Sequence, residues 1–299
     1  MDSAKLLVVA IALALLGLRT GFAQPVLGAQ GAEEEPARRQ QWLVASPDPG
    51  TAAHALLFRP RGDGPFPLAV IAHATTQNVL RRAQMPQPEY RALAVFLVAH
   101  GYAVLVPERL GHGATGGKYL EDQGGCDEAD YARAGRATAG EIATAMDDLR
   151  KQAFIRPDGT LIVGHSAGGW GALALAGDNP AGVARIILFA PGRGGRANDF
   201  PNQVCAPHTL LASAAEFGAT AHIPVTWLVA ANDSYFSPAF SRQLADAFAK
   251  GGARVDFRNL PAYGSEGHWL PETENGVKAA AAELDRALKA PQSAPRVKR

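Results

Sequence analysis

The sequence predicts an α/β fold in which helices flank both faces of one mainly parallel, doubly wound β-sheet. Short apolar runs recur along the chain, and stretches with helical spacing lie between most of them. The run at residues 68–72 is apolar throughout, which is typical of a strand buried on both faces of a parallel sheet. The chain has 299 residues, of which 47% are hydrophobic and 19% charged, and this suits a single domain at residues 41–289.

Each predicted element has its own pattern. Apolar or alternating runs predict strands at 41–45, 53–59, 68–72, 102–106, 161–163, 185–189, 225–230 and 254–260. Helical spacing appears in Leu93 and Leu97, in Ile142 and Met146, and again near the end of the domain. Because ligands of such sheets bind beyond the carboxyl ends of the strands, we expect a site built from loops.

Two of these loops are long. One runs from residue 107 to about residue 130 and is rich in glycine. The other is a small insertion at about residues 191–222, after the sixth predicted strand, and it should hold a short helix near residues 209–217.

The first 23 residues resemble a signal peptide. Lys5 precedes the apolar run 6–18, and small residues lead to Ala23, after which we expect cleavage. The run is shorter than the roughly 20 residues of a membrane span, so we expect export to the periplasm or the medium without stable membrane insertion. The alternative is an uncleaved N-terminal anchor. We expect a disordered linker at residues 24–40 and a flexible tail at 290–299.

The charge balance and the cysteines limit the possible partners. A formal net charge of +1, with both signs scattered along the chain, shows no basic stripe for nucleic acid. The two cysteines, Cys126 and Cys205, have no metal-binding spacing, and we expect neither a metal nor another cofactor. In an oxidising compartment they could form a disulfide between the two long loops, and two separate buried thiols are the alternative.

The segment Gly164, His165, Ser166, Ala167 and Gly168 matches the pattern G-x-S-x-G. In this pattern a serine lies on a strained turn between a strand and a helix, and the glycines leave room for the neighbouring backbone. A strand is predicted just before it and a helix at residues 170–176 just after it. We therefore expect Ser166 to be a nucleophile.

A serine nucleophile requires a base and an acid, which follow it in the order Ser, acid, His. His268 is the one histidine after residue 222, and it lies in a glycine-rich loop. Asp233 directly follows the predicted strand 225–230, where a carboxylate can reach the histidine. Asp199 in the insertion remains an alternative acid. The positions of three other aspartates, in helical or strand patterns or just past a helix, are less suitable: Asp178, Asp246 and Asp256.

The oxyanion of a tetrahedral intermediate needs two N–H donors. The backbone of Ala167 should supply one, because it follows the nucleophile. The loop after residues 68–72 should supply the other, and we favour Thr75, with Ala74 as the alternative. His73, in the same loop, is expected to orient the loop rather than to take part in catalysis.

Four aromatic residues lie near the three candidate residues in the sequence and could line a substrate pocket, although each could equally belong to the core: Trp170, Tyr235, Phe236 and Trp269. Arg193 and Arg196 could bind a substrate carboxylate, but a solvated loop is the favoured interpretation.

Together these residues resemble the α/β-hydrolase superfamily, over about residues 50–289. The turn around Ser166, followed by Gly169, Trp170, Gly171 and Ala172, is similar to its dienelactone hydrolase-like and serine esterase branches. The resemblance implies an eight-stranded type of sheet. Ala74 follows His73 here, where the superfamily often has glycine, and Ser166 stands where dienelactone hydrolases have cysteine. The lactone activity is therefore not implied.

The expected function is hydrolysis of small or medium carboxylic esters through an acyl-enzyme. The short insertion favours small-molecule substrates over a long lipid chain. A peptidase or amidase of the prolyl-oligopeptidase-like type would use the same three residues, and a non-catalytic binding protein could share the fold. If His268 is the base, kcat/KM should rise through roughly pH 6 to 7.5.

Overall fold

The computed structural model of the protein describes residues 26–289. The predicted signal peptide and the predicted tail lie outside these residues. Within them, nine strands form one sheet. The strands are β1 (Gly28–Ala29), β2 (Gln40–Val44), β3 (Ala53–Phe58), β4 (Leu68–Ala72), β5 (Ala103–Pro107), β6 (Thr160–His165), β7 (Val183–Phe189), β8 (Val225–Ala230) and β9 (Val255–Leu260).

Helices follow most of the strands. They are α1 (Val79–Ala83), α2 (Arg91–Ala99), α3 (Tyr131–Leu149), α4 (Ala167–Asp178), α5 (Pro207–Gly218), α6 (Pro238–Ala249) and α7 (Glu274–Lys289). Short 3-10 helices occupy Ala197–Asp199 and Gly267–Glu272. Local signals mark several starts: Asp130 and Ser237 accept backbone N–H groups at the beginnings of α3 and α6. No helix of the described part of the chain is long and apolar enough to cross a membrane.

The strand order is β1-β2-β3-β5-β4-β6-β7-β8-β9. The first three strands pair antiparallel, and β3 pairs antiparallel with β5. All pairs from β5 to β9 across the sheet are parallel. The order reverses at β4, which lies between β5 and β6, and a ligand crevice forms at such a reversal. The mainly parallel sheet that the sequence predicts is thus confirmed.

Side chains of the central strands alternate between two apolar layers. In β4, Leu68 and Val70 pack with α3, α4, α5 and α6 on one face, whereas Ala69 and Ile71 pack with α2 and α7 on the other. All four side chains are fully buried. A strand with apolar residues at every position therefore fits here, because both of its faces are covered.

The N-terminal segment differs from the predicted linker. Residues 24–40 were expected to be disordered, yet β1 lies within them and pairs with β2. Glu33 also forms ion pairs with Arg38 and Arg59. A two-residue strand is too short to show a hydrophobic period, and these contacts join residues separated along the chain. As a result, the described sheet has one strand more than the eight-stranded type, and the insertion at 191–222 follows β7.

Candidate active site

Ser166 lies between β6 and α4, with backbone angles of φ 52° and ψ −118°. Non-glycine residues seldom adopt such angles, which cost about 1–3 kcal/mol and persist where the surroundings enforce them. Both glycines of the pattern are required sterically. A Cβ on Gly168 would clash with the Ala72 carbonyl, and a Cβ on Gly164 would lie 2.5 Å from Gly169 Cα. The turn thus holds the serine at the carboxyl end of the sheet.

The structure brings His268 and Asp233 together. The Nδ1 atom of His268 lies 2.9 Å from Oδ2 of Asp233, and both side chains are almost completely buried. Because a carboxylate only accepts hydrogen bonds, Nδ1 carries the proton and Nε2 is free to accept one. Within the described residues no hydrogen bond joins Ser166 to His268. Such bonds are often long in unliganded catalytic sites and shorten when substrate binds.

The second carboxylate oxygen of Asp233 is also engaged. Its Oδ1 accepts the backbone N–H groups of Tyr235 and Phe236, each at 2.8 Å. These bonds orient the carboxylate from the loop that follows β8. Asp199, the alternative acid, lies in the 3-10 helix of the insertion and makes no hydrogen bond to His268 in the described structure.

Glu266 connects the loop of the acid with that of the histidine. Its Oε1 accepts the backbone N–H of His268 at 3.0 Å and that of Ser234 at 3.1 Å. Arg196 donates to the Ser234 hydroxyl at 2.6 Å, so its guanidinium is engaged here. Glu266 was not predicted from sequence, because nothing in its local sequence distinguishes it from the other glutamates of the chain.

The two residues expected to supply oxyanion donors, Ala167 and Thr75, line the same cleft as Ser166. Ala167 opens α4, and the first N–H groups of a helix have no partner inside the helix. Thr75 lines the same cleft as Ser166 and Ala167, whereas Ala74 donates its N–H to the Tyr90 hydroxyl at 3.1 Å. This arrangement favours Thr75 over Ala74. His73 is buried and holds the loop: its Nδ1 contacts the Ala74 carbonyl, and its Nε2 accepts the Arg109 N–H.

The ring of His268 is enclosed by aromatic groups. Tyr235 stacks on it with ring centroids 4.1 Å apart, and Trp269 lies edge-on at 5.2 Å. Burial lowers the pKa of His268 below its usual value of 6.5, although the hydrogen bond and charge of Asp233 act in the opposite direction. The imidazole is therefore neutral, and able to accept a proton, at lower pH than an unperturbed histidine would be.

Ser166 and His268 open onto one cleft of about 460 Å³. Tyr235, Phe236 and Trp269 line it, as the sequence analysis suggested. Trp170 does not, and of the two alternatives left open for it the core is the one observed. It is fully buried on α4, packs against Tyr131 and Phe217, and donates its indole N–H to the Tyr131 carbonyl. A residue four positions after the nucleophile lies one helical turn into α4, on its core side.

Other residues of the cleft were not identified from sequence. They lie in the loop after β4, in α1, in the loop before α3 and in the insertion: Thr76, Gln77, Asn78, Arg81, Gln123, Gly192, Gly194, Gly195 and Ala197. Only the folding of these loops over the sheet brings them to the same place, so no local signal could have found them.

Of the two alternatives for the cysteines, the disulfide between the two long loops is the one observed. Cys126 and Cys205 form a disulfide, with Cα atoms 5.0 Å apart. Arg193 adds a buried tie, because it forms an ion pair with Glu121 and donates to Thr138 at 2.9 Å. The interpretation of Arg193 as a solvated residue was wrong, since its side chain is almost fully buried. Within residues 26–289, no group of three or more candidate ligands could hold a metal ion.

A protein family model described as serine aminopeptidase, S33, matches residues 87–216, which is less than half of the chain. No curated protein matches the chain by sequence. Among solved structures, the chain is similar to an esterase from Pyrococcus furiosus, with 14% identity and a TM-score of 0.57 over 89% of this chain and 97% of that one.

Two further structures resemble the chain. One is a Klebsiella pneumoniae protein assigned as a dienelactone hydrolase, with 15% identity and a TM-score of 0.53 over 82% of this chain and 96% of that one. The other is a puromycin-hydrolyzing peptidase from Mycobacterium tuberculosis, with 16% identity and a TM-score of 0.56 over 85% of this chain and 40% of that one. These identities establish a shared fold.

Proposed function

We propose that this chain, which has the α/β-hydrolase fold, is a serine hydrolase that cleaves carboxylic esters of small or medium size through an acyl-enzyme. The observation that carries the proposal is the 2.9 Å contact between His268 and Asp233 beside Ser166, whose strained turn faces the same cleft. In this proposal Ser166 is the nucleophile, His268 the base, and Asp233 the acid that orients the base.

The chemistry follows from the geometry. Ser166 Oγ attacks the ester carbonyl carbon while its proton passes to Nε2 of His268. Asp233 stabilises the imidazolium through Nδ1, and the N–H groups of Ala167 and Thr75 bind the oxyanion. The tetrahedral intermediate then collapses, and His268 gives its proton to the departing alkoxide oxygen. Water attacks the acyl-enzyme by the same steps, releasing the carboxylic acid and restoring Ser166.

The size of the substrate is argued from the cleft. Its volume of about 460 Å³ lies within the range of small-molecule sites, and the disulfide and the Arg193–Glu121 pair tie down the loops around it. Aromatic side chains from two loops offer apolar contact for an acyl or alcohol group. The esterases among the structural neighbours support the same substrate class.

Peptide or amide cleavage is the second candidate. The matching family model is described as a serine aminopeptidase, and one structural neighbour is a peptidase. The same serine, histidine and aspartate serve both reactions, so the distinction depends on how the cleft holds the leaving group.

We also infer that the protein is exported. The signal-peptide pattern at residues 1–23 supports this, and so does the disulfide, because such bonds persist in oxidising compartments.

Labelling with a fluorophosphonate tests the hydrolase proposal. We expect the purified protein to take one label and to hydrolyse short-chain nitrophenyl esters faster than aminoacyl amides. The Ser166→Ala variant should do neither. Ser213→Ala is the matched control, because Ser213 is also buried but lies in α5, where its hydroxyl bonds to the Thr209 carbonyl. A folded wild type that takes no label would instead indicate a binding protein, and faster amide cleavage would indicate a peptidase.

A further inference from the structure

One tyrosine hydroxyl lies between the segments that carry the proposed machinery. Tyr90 is buried at the start of α2, and its hydroxyl oxygen lies 3.1 Å from the Ala74 nitrogen, 2.8 Å from Nδ1 of His165 and 3.2 Å from Oε1 of Glu272. Ala74 precedes the proposed oxyanion donor Thr75, and His165 precedes Ser166. The role of this hydroxyl is not explained by the proposed reaction itself.

His165 continues the contact to the loop of the base. Its Nε2 lies 2.8 Å from the backbone carbonyl oxygen of His268, and its ring is almost completely buried. A carbonyl oxygen only accepts, so Nε2 of His165 must carry a proton. Its Nδ1 lies 2.8 Å from the Tyr90 hydroxyl oxygen and 3.2 Å from Oε1 of Glu272.

The two end hydrogen bonds of this chain have a fixed direction. The Ala74 N–H can only donate, so it donates to Tyr90. At the other end His165 donates to the His268 carbonyl. Between them the Tyr90 hydroxyl lies beside Nδ1 of His165 and Oε1 of Glu272, either of which can accept its one hydrogen. Hydrogen bonds linked in this way strengthen one another in a buried environment.

The backbone of Tyr90 supports a special role for this position. Its angles of φ 46° and ψ 37° are left-handed, which is rare for an aromatic residue, and its side chain does not cap α2. Strain of this kind is kept where neighbouring structure over-determines a residue, and functional sites are enriched in it.

We propose that Tyr90 and His165 are positioning residues that hold two loops at the correct separation around Ser166. One is the loop of Ala74 and Thr75, which carries the proposed oxyanion donor, and the other is the loop of His268. The proposal rests on the proposed function. Neither residue touches the reacting atoms. Their effect comes through the Ala74 amide at one end and the His268 carbonyl at the other, and Glu272 stabilises the junction between them.

The first test replaces Tyr90 by phenylalanine, which keeps the ring and removes the hydroxyl. Because errors of about 1 Å in catalytic geometry can cost roughly 100-fold in rate, we expect kcat for a neutral nitrophenyl ester to fall about 10- to 100-fold. KM should stay within about threefold, because the cleft itself is unchanged. The fraction of molecules that a fluorophosphonate finally labels should equal that of the wild type, with a slower labelling rate.

Tyr131→Phe is the matched control. Tyr131 is equally buried, and its hydroxyl donates to the Cys205 carbonyl at 2.7 Å, outside the Tyr90 chain. We expect a similar loss of thermal stability in this variant, with kcat within about threefold of the wild type. The proposal is overturned if Tyr90→Phe keeps its kcat, if its lost activity matches a smaller labelled fraction, or if Tyr131→Phe loses as much kcat.

Variants of His165 separate its contact with Tyr90 from its contact with the His268 carbonyl. They also test the proposal if Tyr90→Phe fails to fold. An asparagine at 165 places its amide near the position of Nδ1, and a glutamine places it near Nε2. We therefore expect His165→Asn and His165→Gln each to keep one contact and to lower kcat less than His165→Ala does. Equal kcat in all three variants and the wild type would overturn the proposal. A wild type that takes no fluorophosphonate label would refute the proposed function instead.

Discussion

Asp233 divides its two carboxylate oxygens between different partners. One contacts Nδ1 of His268, and the other accepts the N–H groups of Tyr235 and Phe236. The two backbone N–H groups hold the carboxylate in place. The oxygen that contacts Nδ1 then determines that this nitrogen of the imidazole carries the proton. An acid with this arrangement acts on the tautomer of the base rather than on the substrate.

The Asp233→Asn variant tests this role. An amide in place of the carboxylate favours the wrong tautomer of His268, and we expect kcat to fall by about 10⁴-fold. Asp199→Asn is the control, because Asp199 lines the same cleft without contacting His268, and its kcat should stay within about threefold. Steady-state kinetics on one ester measures both. A larger loss in the Asp199 variant would mean that the acid is misassigned.

In the proposed reaction, His268 is also expected to set the pH dependence. Its folded-state pKa is lowered mainly by burial, so the neutral, active form predominates from a pH below 6.5 upward. We expect kcat/KM for a neutral ester to rise with pH through a midpoint below 6.5 and then to level off. A pH profile of kcat/KM, taken over the range in which the protein stays folded, measures the midpoint. A midpoint at or above 6.5 would contradict the environment described for His268.

At the scale of elements, the two long loops are held by a buried charge cluster as well as by the disulfide. Glu121 pairs with Arg109 in its own loop and with Arg193 in the insertion. Burial opposes the ionisation of Glu121, but the charges of Arg109 and Arg193 outweigh it and lower its pKa. A carboxylate that remains charged can hold both guanidinium groups in this buried environment.

Removal of the disulfide tests how much it contributes to stability. Cys126 and Cys205 are separated by 79 residues, and the chain-entropy model gives an upper contribution of about 4.5 kcal/mol for such a loop. We expect the Cys126→Ser, Cys205→Ser double variant to lose about 2–4.5 kcal/mol in free energy of unfolding, measured by denaturant titration.

The control for this experiment is a reducing agent. It should destabilise the wild type by the same amount and leave the double variant unchanged. If the double variant has the same free energy of unfolding as the oxidised wild type, the disulfide contributes nothing and the charge cluster alone holds the two loops.

At the scale of the molecule, the site exists because the strand order reverses at β4. Ala72 at the end of β4 pairs with Gly164 near the end of β6, so the loop that carries Thr75 and the turn of Ser166 begin side by side. On the other side of β7, β8 and β9 end in the loops of Asp233 and His268. Residues separated by about a hundred positions meet because parallel strands end at one edge of the sheet.

The strands of the sheet and the three candidate site residues could be predicted from sequence alone. Strands buried on both faces show themselves as continuous apolar runs, which is why β4 and β8 match their predicted bounds. Ser166 is marked by glycines that its turn requires sterically, and His268 by being the one late histidine. These signals are local, or depend only on order along the chain.

The tertiary structure alone decided the rest. It placed Trp170 in the core, and Glu266, Tyr90 and His165 around the proposed machinery. Each of these residues takes its role from a partner far away in sequence: Tyr90 and His165 are 75 positions apart, and His165 and His268 are 103 apart. Amphipathic periods and motifs report which face of an element is buried, but they do not report which side chains meet across the fold. The sequence therefore determined the sheet and the three candidate residues, and packing decided what surrounds and orients them.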